Sequence, residues 1–330
     1  MTGPGEIAGL AAAGFWACAS LFYSRTRLTA WQINFGKNLL ASVVLLIHLT
    51  LVTLPFGRSL FQADLRTTLL LAGSSIFGIL IGDTFYFRSL QILGPRRALI
   101  VSTASPLFAT SVGWVFLNES LAMTSLLGIV MTLGGILIVI SERSDVQETP
   151  GLFPSTILKG VLCGLAGAVC NAGGATLSHI ATHGAESSGS QGCDALEATV
   201  IRVCVAAAGS LLSAIVARRL MPTMKAAFEV SALKSYGPAV ICGPWLGIWM
   251  SQIAYRNTLL AIAITLTCTT PLFAMPLTRI LYGHRITLRG LLGAVVALLG
   301  VYLTVAHHSG NTAVESPESD DGIEAASQDL

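Results

Sequence analysis

The chain has 330 residues, 53% of them hydrophobic and 11% charged, with a formal net charge of +2. A soluble domain carries about a quarter charged residues, so this composition excludes an ordinary soluble enzyme, and so few bases exclude a polybasic nucleic-acid binder. At a mean hydropathy of +0.72 the chain belongs in a bilayer. Apolar runs long enough to cross about 30 Å of hydrocarbon as helices fall near 7–24, 31–54, 68–90, 98–117, 124–141, 156–180, 196–217, 236–255, 260–281 and 287–306, ten in all. Their length indicates helices rather than the short alternating strands of a barrel. The first run has Glu6 and no Lys or Arg before it, so it reads as a retained helix and not as a cleaved signal. The seven cysteines lie mostly in spans, as small packing residues without a disulfide framework.

Ionisable groups inside spans each cost roughly 3 kcal/mol or more at the bilayer centre and so need a reason. The second span carries Lys37 and His48. Lys37 either gates a cavity or snorkels to the headgroups, and His48 is either a proton relay or a neutral interhelical hydrogen-bonder. The third span carries Asp83, the deepest acid. Its carboxylate either serves a coupling proton or cationic solute, or forms an ion pair with Lys37 or Arg88. The fourth span is centred on Pro106 among Ser102, Thr103 and Ser105, and the ninth on Pro271 among Thr265, Thr267, Thr269 and Thr270. Proline in a helix frees the carbonyl four residues earlier, so these hydroxyl-rich segments are expected to line a central cavity or to bond back to their own helices. Glu119 and Ser120 precede the fifth span and either gate or cap it. The seventh span carries Arg202, and the eighth Trp249 and Gln252, an aromatic wall and a hydrogen-bond partner for the same cavity. His179, His183, Glu186, Cys193 and Asp194 are residue types that hold zinc, but their spacing is not that of a metal site, and no metal or cofactor is expected. Nucleophile-elbow, zincin and phosphate-loop motifs are absent from the sequence.

The two halves repeat each other. Residues 102–109, STASPLFA, recur as TCTTPLFA at 267–274, and 267 minus 102 is 165. At the same shift Gly78 falls on Gly243, Gly82 on Gly247, Lys37 on Arg202, Gly135 on Gly300, and Asp83 on Ile248. With five spans per copy, an odd number, the second copy enters the membrane from the opposite side, which makes an inverted repeat of the kind that builds secondary transporters. The expected fold is therefore all-α, ten transmembrane helices as two inverted five-helix repeats at 1–145 and 146–308, with a disordered acidic tail at 309–330. Residues 181–195 are expected as an extra loop of the second half.

The ten spans, the duplication, the proline-centred fourth span of each half and Leu117-Asn118-Glu119-Ser120 before a Gly-rich fifth span resemble the EamA-type transporters of the drug/metabolite transporter superfamily, over about residues 5–308. That family usually has Gly-Glu at this junction, where this chain has Asn118-Glu119 and, in the second half, Gly283-His284. The resemblance implies movement of small metabolites, amino acids, drugs or nucleotide sugars. It also implies fifth helices at the repeat interface, which would allow a homodimer, and both termini in the cytoplasm. The bias of Lys and Arg towards loops after odd-numbered spans argues for the opposite orientation. The reading is a multi-pass protein of the cell membrane, whose partners are a small solute and the bilayer. It moves that solute by alternating access, with or without proton coupling, and the alternative is a membrane-embedded enzyme or non-transporting scaffold. Its cavity candidates are Asp83, Ser102, Thr103, Pro106, Trp249, Thr267, Thr270 and Pro271, and its gating or coupling candidates Lys37, Arg202, His48 and Glu119.

Overall fold

The computed structural model describes residues 3–57, 59–102, 104–106, 108, 123–141, 154–187, 193–282 and 288–311. Among them the elements are helices, without a strand. Polar caps mark where helices begin. α1 (Pro4–Tyr23) starts on a proline, whose missing N–H costs nothing there. α2 (Ala30–Thr53) opens with a capping box in which Thr29 and Gln32 bond each other's backbone N–H. α3 (Leu65–Ser74) is capped by Asp64, which accepts from the Thr67 N–H at 2.9 Å. α4 (Asp83–Ser102), α5 (Met123–Ser141) and α6 (Pro154–Ser187) follow, then α7 (Ala195–Val216), capped by Asp194. The chain continues as α8 (Leu220–Ala227), α9 (Val230–Val240), α10 (Ile248–Asn257), α11 (Leu260–Thr267), α12 (Thr270–Tyr282) and α13 (Leu288–Asn311).

Five stretches among the described residues are long and apolar enough to cross a membrane: Pro4–Tyr23, Ala30–Phe56, Leu65–Leu93, Ser155–Thr182 and Ala195–Val216. The protein is integral to a membrane, and its packing follows. Large side chains such as Ile47, Leu51, Leu69 and Leu212 face outward, while Ala12, Ala13, Ala17 and Ala19 are fully buried. Lipid gives no hydrophobic drive for helices to associate, so small residues that let backbones approach hold them together.

Glycine contacts carry the sequence repeat into three dimensions. α5 and α13 pack antiparallel. A Cβ on Gly135 would strike the backbone of Gly293 and Ala297, and one on Gly300 would strike Gly128 and Thr132, the same contacts after a shift of 165. The glycine faces of α5 and α13 thus meet each other within the chain. A second set joins α1 to the second half and α6 to the first. Gly9 packs on Ala254 and Leu266, as Gly164 does on Ser89 and Val101; Trp16 packs on Gly247, as Asn171 does on Gly82. Here the partners shift by 165 but the first helices by 155, since Gly164 follows Gly9, and Asn171 follows Trp16, by that number.

Two π-helical segments occupy matching places. Ser75–Gly82 joins α3 to α4, and Ile241–Gly247 joins α9 to α10. Such wide turns leave carbonyls without regular helical partners and recur at functional sites. Asn34 serves the first of them, its Nδ2 donating to the carbonyls of Ile79 and Leu80 at 3.1 and 2.9 Å.

Three boundaries differ from the sequence expectation. α6 runs through Ser187, so the stretch expected as a loop from 181 begins as helix; Thr182 Oγ1 bonds the Ser178 carbonyl and the buried His179 ring bonds the Tyr255 carbonyl, which tie this end down. Residues 91–97, expected as a turn between spans, are helical. The equivalent turn does break the second half, because Thr258 is extended and donates to Glu6 Oε1 at 3.1 Å, whereas its counterpart Leu93 packs on Gly160. α13 continues through Asn311, into the stretch expected as tail. Thr103, Glu119 and the acidic residues from 312 onward lie outside the described residues.

Candidate functional site

A cavity of about 160 Å³ lies between the halves. Its wall is built from repeat-related positions: Asp83 and Ile248, Tyr86 and Ser251, Ser102 and Thr267, Ser105 and Thr270, Trp16 and Asn171. The π segments bring the wall together. Each ends in a glycine, Gly82 or Gly247, against the first helix of the other half, and the next residue, Asp83 or Ile248, faces the cavity.

Asp83 meets Lys37 at 2.8 Å; the lysine side chain is fully buried and the carboxylate 14% exposed, on the cavity side. Of the two ion-pair partners weighed for Asp83, the structure selects Lys37. The ammonium also donates to Asn38 Oδ1 at 2.9 Å and lies 5.8 Å from the centre of the Phe87 ring. Asn38 in turn donates to Asn34 Oδ1 and Ser210 Oγ, at 3.0 and 3.2 Å, linking the pair to the residue that serves the π segment. Lys37 therefore points inward and does not snorkel.

Arg202, the counterpart of Lys37, also points inward and borders the cavity. Its Nη1 donates to Gln252 Oε1 at 3.2 Å, and Gln252 Oε1 also accepts from Ser178 Oγ at 2.7 Å. Gln252 occupies the place of Phe87 in the repeat, so each cation lies beside its counterpart neighbour, but the carboxylate beside Lys37 is replaced by Ile248 beside Arg202.

In the second half the helix breaks at the proline. α11 ends at Thr267, Cys268 and Thr269 form a turn, and α12 starts at Thr270 with Pro271 next. The threonine hydroxyls bond backward, Thr269 Oγ1 to the Leu266 carbonyl and Thr270 Oγ1 to the Thr267 carbonyl, both at 2.7 Å. The back-bonding and cavity-lining alternatives are thus both realised, since Thr267, Thr270 and Pro271 also line the cavity. In the first half Ser102 and Ser105 line it, with Ser105 Oγ reaching the Ala168 carbonyl at 3.4 Å, and Pro106 is buried close by.

Two sequence candidates lie elsewhere. Trp249 turns to His48, with ring centres 5.0 Å apart, and is not in the cavity wall. His48 Nδ1 accepts from Trp245 Nε1 at 3.2 Å, so this is the neutral tautomer with its proton on Nε2. Tyr23, Tyr86, Asn171, Ser251 and Tyr255 line the cavity without having been singled out. Intramembrane polar groups were the available signal, and for Asn171 the match to Trp16 is hidden by the different shift of the first helices.

Outside the spans, Asp64 has its carboxyl held below the usual range by hydrogen bonds from Thr67. Burial pushes the Cys193 thiol up, which leaves little free thiolate there at neutral pH.

Comparison with known proteins agrees with this architecture. The model of the EamA-like transporter family matches residues 3–141 and 158–306. A protein of Archaeoglobus fulgidus described as an uncharacterized transporter is 28% identical over 149 residues, 44% of this chain and 50% of its own length, so the chain spans about half the length of that relative. A solved crystal structure at 17% identity covers 96% of this chain and 100% of its own with a TM-score of 0.69, a likeness of fold.

Proposed function

Because the chain belongs to the EamA-like transporter family, we propose that it is a secondary transporter that exposes one cavity to the two sides of the cell membrane in turn. Family and hydropathy support a membrane transporter of small solutes; alternating access, ten spans in two inverted repeats at 1–145 and 146–308, and coupling are our reading. The observation that carries it is the cavity walled by repeat-related residues of both halves. Two further features support it. The antiparallel α5 and α13 exchange equivalent contacts, as two copies related by an axis in the membrane plane would. π segments and a helix break border the cavity, where irregular backbone is tolerated at membrane depth only if it lines a wet space or is buried in protein. Asp83, tied to Lys37 yet open to the cavity, is the group we assign to coupling.

The test is uptake into proteoliposomes across amino acids, organic acids, cationic drugs and neutral metabolites, with and without an imposed pH gradient. We expect flux of at least one solute class, driven by the gradient in the native chain and indifferent to it in a Lys37→Gln, Asp83→Asn double variant, which removes the charge pair without stranding either partner. Gradient-driven flux in the double variant would overturn the coupling assignment; absence of any flux from folded native protein would overturn the transporter mechanism.

A further inference from the structure

Among the described residues Arg202 carries a buried charge without a carboxylate in direct contact. Its side chain is 6% exposed and borders the cavity, and among the described residues no carboxylate lies within ion-pair distance of it. Nη1 has Gln252 Oε1, but Nε has no acceptor, and neither does the buried Nε2 of Gln252. A buried donor left without an acceptor is costly, and a buried cation without an anion more so. The neighbouring repeat indicates what is missing. Lys37 has Asp83; the same shift takes Lys37 to Arg202 and Asp83 to Ile248, so the one carboxylate among the described cavity-lining residues is already paired with Lys37, while Arg202 borders the same cavity. The rest of the nearby wall includes Trp16, Ile248 and Ile264, apolar surface suited to a carbon skeleton.

Resting on the transporter reading above, we propose that the solute is a small organic oxyanion whose single carboxylate, sulfonate or phosphate group docks on Arg202 in the place of the absent second carboxylate. The guanidinium offers paired N–H donors that match a planar oxyanion. Gln252, which holds the guanidinium through Oε1, has a free amide N–H beside it.

The experiment reads binding, separately from flux, as thermal stabilisation of the purified full chain in a nonionic detergent. Probes are benzoate, benzenesulfonate and phenyl phosphate, set against benzamide, benzenesulfonamide and benzylamine. We expect the oxyanions to raise the melting temperature with at least tenfold tighter apparent affinity than their neutral isosteres, an effect lost in Arg202→Gln and retained in part by Arg202→Lys. Equal stabilisation by amide or amine, none by any oxyanion in the native chain, or an unchanged oxyanion preference in Arg202→Gln overturns the proposal. Because the acid-against-amide comparison uses the native chain alone, it stands even if a variant fails to fold. Phosphatidylglycerol, titrated in parallel, separates a lipid headgroup from a soluble solute; stabilisation by the lipid alone also overturns it. Flux of neutral solutes with no oxyanion binding would leave the transporter mechanism in place while removing the substrate assignment.

Discussion

Thr132 donates a hydrogen bond, at 3.4 Å, to the carbonyl of Ala297, the residue that stands in its own place 165 positions later. In the inverted repeat proposed above, equivalent residues touch only where the two copies lie against their axis, so this contact would place that axis between α5 and α13.

Gly135 and Gly300 flank that contact as an equivalent pair. Leucine at either position forces the same two helices apart by the same kind of clash, at a cost of about 1–3 kcal/mol. Gly135→Leu and Gly300→Leu are expected to lower the melting temperature of the detergent-purified protein by matching amounts. A loss confined to one of them would deny the symmetry of the interface.

The Lys37 and Asp83 pair lends itself to a double-mutant cycle. Lys37 is wholly buried, so Asp83→Leu leaves a stranded ammonium, a loss of about 3–5 kcal/mol. Adding Lys37→Met to it is expected to recover most of that stability, because an apolar pair of similar size needs no counter-charge. Additive losses in denaturant melts would mean the two groups act independently.

At the break between α11 and α12, Pro271 occupies the second helical position, where its missing N–H has no partner to lose. The threonine hydroxyls of 269 and 270 hold the preceding carbonyls instead. Pro271→Leu alone should therefore leave amide exchange at 268–272 as fast as in the native chain, whereas adding Thr269→Val and Thr270→Val should slow it as the helix closes. Slowing in the single variant would assign the break to proline.

Asp64 gives an acid-side signature. Its folded carboxyl titrates below the ordinary value of about 3.9, so the stability it lends is complete above about pH 4 and falls away as the pH drops through the lowered value. Asp64→Asn keeps a capping oxygen and removes the titration. The melting temperatures of the two proteins should converge as the pH is lowered from about 7 to about 3; a constant gap would exclude this carboxylate as the source.

Much of this site could be read from the chain because it is written twice. The 165-residue shift paired Ser102 with Thr267 and Lys37 with Arg202, and an acid as deep as Asp83 needed a cation that only a few residues could supply. The first helices escaped that shift, since the longer α6 and the segment after it put ten more residues between Asn171 and Arg202 than between Trp16 and Lys37. Trp16, Tyr23 and Asn171 were thereby hidden as cavity walls. Trp249 follows the cavity-lining Ile248 by one residue, but a helix turns about 100° per residue, which carries it away from the wall to His48. The π segments leave no hydropathy trace, because a wide turn changes angular phase without changing composition.

That phase has a mechanical meaning. A π turn accommodates one residue more than an α turn, so moving the wide turn past a given residue, or closing it, rotates everything beyond by about 100° about the helix axis. Asp83 follows the segment Ser75–Gly82 directly, so its carboxylate is set like a hand on a dial whose detent is that one surplus residue. Asn34 donates to the Ile79 and Leu80 carbonyls within that segment. Under the alternating access proposed above, a shift of this local register would turn Asp83, the one acid among the described cavity-lining residues, relative to the cavity without sliding whole helices, provided Lys37 moves with it.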